Sequence, residues 1–245
     1  MQRPPIPIAA LGVFASLAAL IPVGYLVIRM LEGCDKALQE LARPQTLGLL
    51  VNTLGLTITV ALSALVIGFL QAWITTRTAI PFAGLNAVLS TLPLAIPSYV
   101  LAMAFTTFWP GFQGFGAAWF TLTIATSPYV YLAVSVALVR INVANEEMAR
   151  SLGSSVFQVL RKVTWPQVKP AAFGSLLLVV MYVLSEFGAV ALLRFDTFTR
   201  AIYNAYRGSF DRTSAAALAI LLLLLTLFVL YLERRYRGDY TQVPQ

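Results

Sequence analysis

Thr213–Leu232 reads TSAAALAILLLLLTLFVLYL, an uncharged apolar run framed by Arg212 and Glu233. Crossing the hydrocarbon core of a bilayer takes about 20 mostly apolar residues in a helix, where each backbone N–H and C=O is paired within the segment. The run has that length. Working outward from it, the pattern recurs at Ala171–Leu193, Ala117–Val139, Leu85–Phe108, Leu47–Ile74 and Ile6–Val27. The fold class that follows is all-α, a polytopic membrane protein with six transmembrane helices in a single transmembrane domain over residues 1–245. Composition agrees, with 59% hydrophobic and 11% charged residues where a soluble domain carries about 25% charged.

The runs differ in ways that bear on packing. Ile6–Val27 follows Arg3 and exceeds the roughly 7–15 apolar residues of a cleaved signal peptide, so an uncleaved first helix is expected. Leu47–Ile74 is rich in Asn52, Thr53, Gly55, Thr57, Thr59, Ser63 and Gly68, small and hydroxylated residues that let helices approach closely. Pro93 and Pro97 interrupt Leu85–Phe108. Each proline removes a backbone donor, and a break at membrane depth persists only where protein or water satisfies the freed carbonyls. That span is expected to be kinked and interior.

Charge sets the orientation. With the N-terminus inside, ten cations (Arg3, Arg77, Arg140, Arg150, Arg161, Lys162, Lys169, Arg234, Arg235, Arg237) face the cytoplasm, against seven outside (Arg29, Lys36, Arg43, Arg194, Arg200, Arg207, Arg212). The positive-inside rule then puts both termini in the cytoplasm. The net charge of +7 lies mostly between apolar runs, which makes a lipid bilayer, and no nucleic acid, the expected partner surface.

Several chemistries are excluded. The chain has no His, so imidazole metal ligation and histidine general-base catalysis are out. Cys34 is the only cysteine, which leaves no internal disulfide or cysteine-rich metal site. Lys36, Lys162 and Lys169 follow Asp35, Arg161 and Val168, whereas a Walker A loop needs Gly-Lys to cradle phosphates. No cluster of polar catalytic groups stands in the sequence, so no catalytic residue and no metal site is assigned. A channel or gradient-driven transporter would carry more intramembrane charge than these runs do.

The longest polar stretch, residues 140–170, reads RINVANEEMARSLGSSVFQVLRKVTWPQVKP. Two short helices fit it. Asn145 can cap the first, with Glu146 and Glu147 in its first turn. Gly153 ends it, and Ser154 or Ser155 can cap the second. Val156, Val159, Leu160 and Val163 form one apolar face, and Pro166 closes the second helix. By composition alone this could equally be an amphipathic loop lying on the membrane surface.

The segment Glu147-Met148-Ala149-Arg150-Ser151-Leu152-Gly153, followed by Val163-Thr164-Trp165-Pro166, resembles the EAA loop of ABC importer permeases. Glu147, Ala149, Gly153 and Pro166 match, while Met148 stands where Ala is usual and Trp165 where Leu is usual. The resemblance implies a type I importer permease fold in a bacterial inner membrane. It implies that Glu147, Ala149, Arg150, Gly153 and Pro166 form a coupling elbow seated on a cytoplasmic ATPase. A dimer of that ATPase would bind ATP and Mg, so this chain itself carries no cofactor. With one such loop, the chain pairs with a second copy, a related half, or a continuation of itself.

Glu186 is the single acid inside an apolar run, and an intramembrane carboxylate is by default a functional candidate. Alternatively it pairs with Arg194 or Arg200 and staples its helix. SEFGAVALLRFDTFTRAIY over 185–203, followed by Phe210-Asp211-Arg212, is similar to ferric-iron permeases. That similarity implies iron as cargo, Ser185 and Glu186 along its path, and Arg194, Asp196, Arg200 and Arg212 as contacts for a periplasmic binding protein. Thiamine and sulfate are the rival cargoes.

Overall fold

The computed structural model describes residues 6–79, 81–208 and 210–237, which form helices joined by short turns; Arg3 lies outside the described residues. α1 (Ile6–Glu32) is followed by a short α2 (Cys34–Ala42) and a long α3 (Pro44–Arg77). α4 (Ala83–Thr91) and a 3₁₀ turn (Leu92–Ala95) lead to α5 (Ser98–Phe108). α6 (Gly114–Arg140), α7 (Val143–Ser151) and α8 (Val156–Val159) come next, then a wide π-helical turn (Leu160–Thr164) and α9 (Trp165–Ser185). α10 (Gly188–Leu192), α11 (Phe198–Tyr203) and α12 (Arg212–Arg237) complete the described chain. Among the described residues, five helices are long and apolar enough to cross a membrane, and the bent α4–α5 pair makes a sixth candidate.

The core is built where α3, α6 and α9 pack together. α3 turns Leu56, Val60, Ala61, Ala64, Gly68 and Ala72 inward at helical spacing. Lipid tails are as apolar as leucine, so hydrophobicity does little to drive these helices together, and close van der Waals contact must do more. Gly68 shows how close that contact is. A Cβ built there would lie 2.6 Å from the Ser127 carbonyl oxygen and 2.9 Å from the Tyr131 nitrogen, both α6 backbone. α1 packs mainly on α12 and leaves Leu11, Phe14, Leu17 and Ile21 exposed.

α3 has 34 residues and so runs roughly 51 Å at 1.5 Å per residue, well beyond a hydrocarbon core of about 30 Å. α3 is therefore longer than the core is thick, and its last residue, Arg77, meets Glu146 of α7.

The proline-containing span is broken, as its sequence suggests: the two parts meet at 99°. Within the break Ile96 N–H donates to the Pro93 carbonyl at 3.2 Å. The span is not interior in this chain. Only Ser90 of α4 and Ser98 and Ala102 of α5 are buried, while Leu85, Val88 and Leu89 are exposed.

The fifth span departs from the expected 171–193. Helical structure starts at Val156 and runs to Ser185 as one 30-residue rod, so Pro166 does not close a helix. The wide turn before it explains why. Trp165 N–H donates five residues back, to Leu160, and this widened turn gives the Pro166 ring room it would lack against a regular i−4 carbonyl. At the other end Glu186 is extended (φ −71°, ψ 124°), and residues 188–192 form the separate α10.

Candidate functional site

Two places on the rod carry the residues singled out by sequence. The first is the elbow between α7 and α8. Asn142, not Asn145, caps α7: it is extended (φ −66°, ψ 113°) and accepts the Ala144 N–H at 3.0 Å. α6 ends at Arg140, and Asn145 already lies inside the new helix. At the other end of α7, Ser154 N–H donates to the Ala149 carbonyl at 3.1 Å and Gly153 N–H to that of Arg150 at 2.9 Å. This is a Schellman cap, which needs a left-handed residue at its turn. Gly153 supplies it with φ +87°.

Ser155 then opens α8. Its hydroxyl accepts the Gln158 N–H at 3.3 Å, while Gln158 Oε1 accepts the Ser155 N–H at 2.9 Å. That reciprocal capping box satisfies two orphan donors of the new helix. Two well-capped helix ends meeting at one glycine make a defined elbow.

The elbow's outer surface mixes charge and apolar bulk. Glu147 and Arg150 are exposed and Ala149 is half-buried. Met148, Val156 and Phe157 are exposed, and Leu152 is 81% exposed. Only Val159 of the expected apolar face is fully buried; Leu160 and Val163 are half-buried. Pro166 is exposed in the first turn of α9, beyond the elbow. Glu146, expected to serve the helix dipole, is instead buried against Arg77. A buried acid demands a cation partner, but nothing in the sequence says which cation.

The second place is the upper end of the rod. Glu186 makes no ion pair among the described residues. Its Oε2 accepts the Ser98 hydroxyl at 2.8 Å and its Oε1 the Ala189 N–H at 2.8 Å. Its carbonyl accepts the Thr199 hydroxyl at 2.6 Å. Ser98 directly follows the break at Pro97, so the carboxylate bridges the breaks of two spans. The close approach is possible because Gly188 lies on Tyr99: a Cβ there would sit 2.9 Å from the Tyr99 Cβ. Neighbouring Ser185 is exposed and donates its hydroxyl to the Tyr182 carbonyl at 3.0 Å.

Neither expected cation reaches Glu186. Arg200 pairs with Asp196 one helical turn away. Arg194, with φ +55°, lines a recess of about 380 Å³ with Thr106, Phe112 and Gln113. The Asp196 carbonyl accepts the Asn52 side-chain N–H at 3.1 Å, which ties this loop to α3. Arg212 is exposed at the start of α12, beside Asp211. Burial pushes the Asp211 carboxyl upward, but the Ser214 N–H and the Lys36 ammonium outweigh it and hold it below its ordinary value. Lys36 Nζ stands 3.0 Å away.

This architecture is shared with known proteins. The chain superposes on a chain of a bacterial alginate ABC transporter solved with an alginate pentasaccharide-bound periplasmic protein, with a TM-score of 0.78 at 16% identity over 97% of this chain and 96% of that one. The inward-facing MetNI methionine ABC transporter gives 0.62 at 23% identity, over 82% of this chain and all of that one. In sequence, the chain is 32% identical over 241 residues to the Fe(3+)-transport system permease protein FbpB 2 of Haemophilus influenzae, covering 98% of this chain and 48% of that protein. It therefore spans about half the length of that relative. The sulfate transport system permease protein CysT of Salmonella typhimurium is 27% identical over 89% of this chain and 86% of that protein. Residues 82–238 match the family described as binding-protein-dependent transport system inner membrane component. The elbow, the broken third span and the rod to Glu186 all fall within the matched residues, and the chain belongs to that family.

Proposed function

We propose that this chain is one permease half of an ATP-driven importer in a bacterial inner membrane, with ferric iron as its cargo. The observation that carries the transport reading is the elbow. A Schellman cap at Gly153 and a capping box at Ser155 present Glu147, Arg150, Met148 and Leu152 on one rigid exposed surface, at the motif that resembles an ATPase-docking loop. A cytoplasmic ATPase dimer docks there, binds ATP and Mg itself and supplies the hydrolysis; Ala149 sits under the surface, and Pro166 stiffens the first turn of α9. Both termini face the cytoplasm. A second permease half completes the pathway, and Arg194, Asp196, Arg200 and Arg212 meet a periplasmic binding protein on the other side.

Iron is favoured by the likeness to a Fe(3+)-transport permease over nearly the whole chain and by Glu186, whose charge attracts a cation and repels a dianion. Sulfate is the second reading, favoured by the likeness to a sulfate permease over most of both chains. The test is the assembled transporter in vesicles, given iron-loaded or sulfate-loaded binding protein. Iron-loaded protein should stimulate ATP hydrolysis; stimulation by the sulfate-loaded one alone would replace the cargo, and stimulation by neither would remove the importer reading.

Glu186→Gln keeps the shape of the side chain and removes its charge. Iron uptake should fall about tenfold, in line with the ~1.5–3 kcal/mol of a charged hydrogen-bonded contact, while assembly with the ATPase is unchanged. Uptake at the wild-type rate would leave Glu186 as a cap for α10 only.

A further inference from the structure

Arg77 ends α3 and Glu146 lies in the first turn of α7. Their side chains are 9% and 3% exposed, with Arg77 Nε 3.0 Å from Glu146 Oε2. Arg77 Nη2 donates to the Leu138 carbonyl in the last turn of α6 at 2.8 Å. The buried Thr164 hydroxyl, in the wide turn before α9, donates to Glu146 Oε1 at 2.8 Å. Two side chains thus tie the ends of four elements together.

Stability alone is a poor account of this arrangement. Removing two charges from water costs about as much as their attraction returns, and well-packed apolar pairs often do as well. The pairing is also imperfect: Arg77 Nε–H is near the carboxylate but points at no acceptor. Direction is what the pair provides. α7 otherwise packs on α8 and the wide turn, both joined to it through the Gly153 elbow. A push on the elbow would reach α9 through the chain itself, whereas α3 receives it through Arg77.

The other end of α3 is tied as well. Asn52 donates to the Asp196 carbonyl, and the Thr53 hydroxyl accepts the Phe198 N–H at 3.2 Å. Asp196 lies in the loop between α10 and α11, and Phe198 opens α11. Between these ends α3 is an uninterrupted helix seated on α6 at Gly68, stiff enough to move as one piece.

We infer that α3 is a relay between the cytoplasmic elbow and the outer loop, with Arg77 and Glu146 as the positioning residues at its inner end and Asn52 and Thr53 at its outer end. The inference rests on the elbow being the ATPase contact. It predicts that the ties serve communication between the two faces rather than assembly or the hydrolysis of ATP.

The experiment uses the assembled transporter in vesicles with its loaded binding protein. The double variant Arg77→Met with Glu146→Leu removes both charges and so leaves no buried charge unpaired. Asn52→Leu combined with Thr53→Val cuts both outer ties, far from the elbow. Both variants should capture the ATPase at wild-type yield and keep its basal hydrolysis. Stimulation of hydrolysis by loaded binding protein should fall by at least about fivefold in each, the lower range of ordinary coupling between sites, with uptake falling in parallel. Wild-type stimulation in either variant would overturn the relay, as would loss of ATPase capture by the Arg77→Met, Glu146→Leu variant, which would mark the pair as a staple of the fold. An unaltered chain that captures no ATPase would overturn the elbow reading, and the relay with it.

Discussion

Gly68→Leu should leave the chain unable to assemble its membrane core. The first side-chain carbon would lie 2.6 Å from the Ser127 carbonyl oxygen, 2.7 Å from the Val130 Cβ and 2.9 Å from the Tyr131 nitrogen. Two of these are backbone atoms of α6, so no rotamer change relieves the overlap and the helices must move apart. Separation strips contacts from Ala64, Ala72 and Val134, all completely buried, in a setting where packing does most of what hydrophobicity does in water. We expect a loss of about 3 kcal/mol or more, the upper range for overpacked cores. Thermal unfolding of the detergent-purified chain measures it, with Gly68→Ala intermediate. Gly55 is the control, because it lies on the same helix with nothing within 4 Å of a built Cβ. Gly55→Ala should be neutral or stabilising by up to about 1 kcal/mol. Equal effects at the two glycines would refute the close-approach account.

Gly153→Val should abolish uptake while membrane insertion and yield stay normal. Here space is not the issue: a Cβ on Gly153 would meet nothing within 4 Å. The constraint is the backbone at φ +87°, where an L-residue pays roughly 1–2 kcal/mol and a β-branched one is a genuine outlier. Forced out of that conformation, the turn loses the bonds from Gly153 and Ser154 to Arg150 and Ala149. α7 then points elsewhere, and Glu147, Arg150 and Leu152 no longer form one surface with Phe157. Because ~1.4 kcal/mol is tenfold in affinity, the ATPase should be captured at least about tenfold more weakly. Gly153→Asn should be milder, since Asn tolerates the left-handed region. Full ATP-coupled uptake by the valine variant would sink the elbow assignment. The two glycines separate cleanly: Gly68 variants fail in the packing of the membrane core and Gly153 variants in the docking of the ATPase.

Much of this was readable from residue order. The apolar runs identify the spans because a helix must reach across the bilayer, and length with hydropathy reports that directly. Gly153 as the stop of α7 and a serine cap for α8, at Ser154 or Ser155, were visible because caps are local chemistry within a few residues; the structure picks Ser155. The wide turn at Leu160–Thr164 was not. A proline normally closes or kinks a helix, so Pro166 read as an end, and the widened turn that accommodates it leaves no mark in a sequence. Asn145 has the side chain a cap requires, and so does Asn142. Where α6 stops decides between them.

The amino-acid order of this protein determined, without help, that it lives in a membrane as helices, that it bends at Pro93 and Pro97, and that a long polar stretch turning at Gly153 separates two spans. Each depends on residues that are neighbours along the chain. Only the tertiary structure decided that Glu146 turns inward to Arg77 while adjacent Glu147 stays exposed. It alone set Glu186 against Ser98, bridging two broken spans, and brought Gly68 onto the α6 backbone. These are meetings of residues distant in sequence, and which cation meets a buried acid is settled by how whole helices pack.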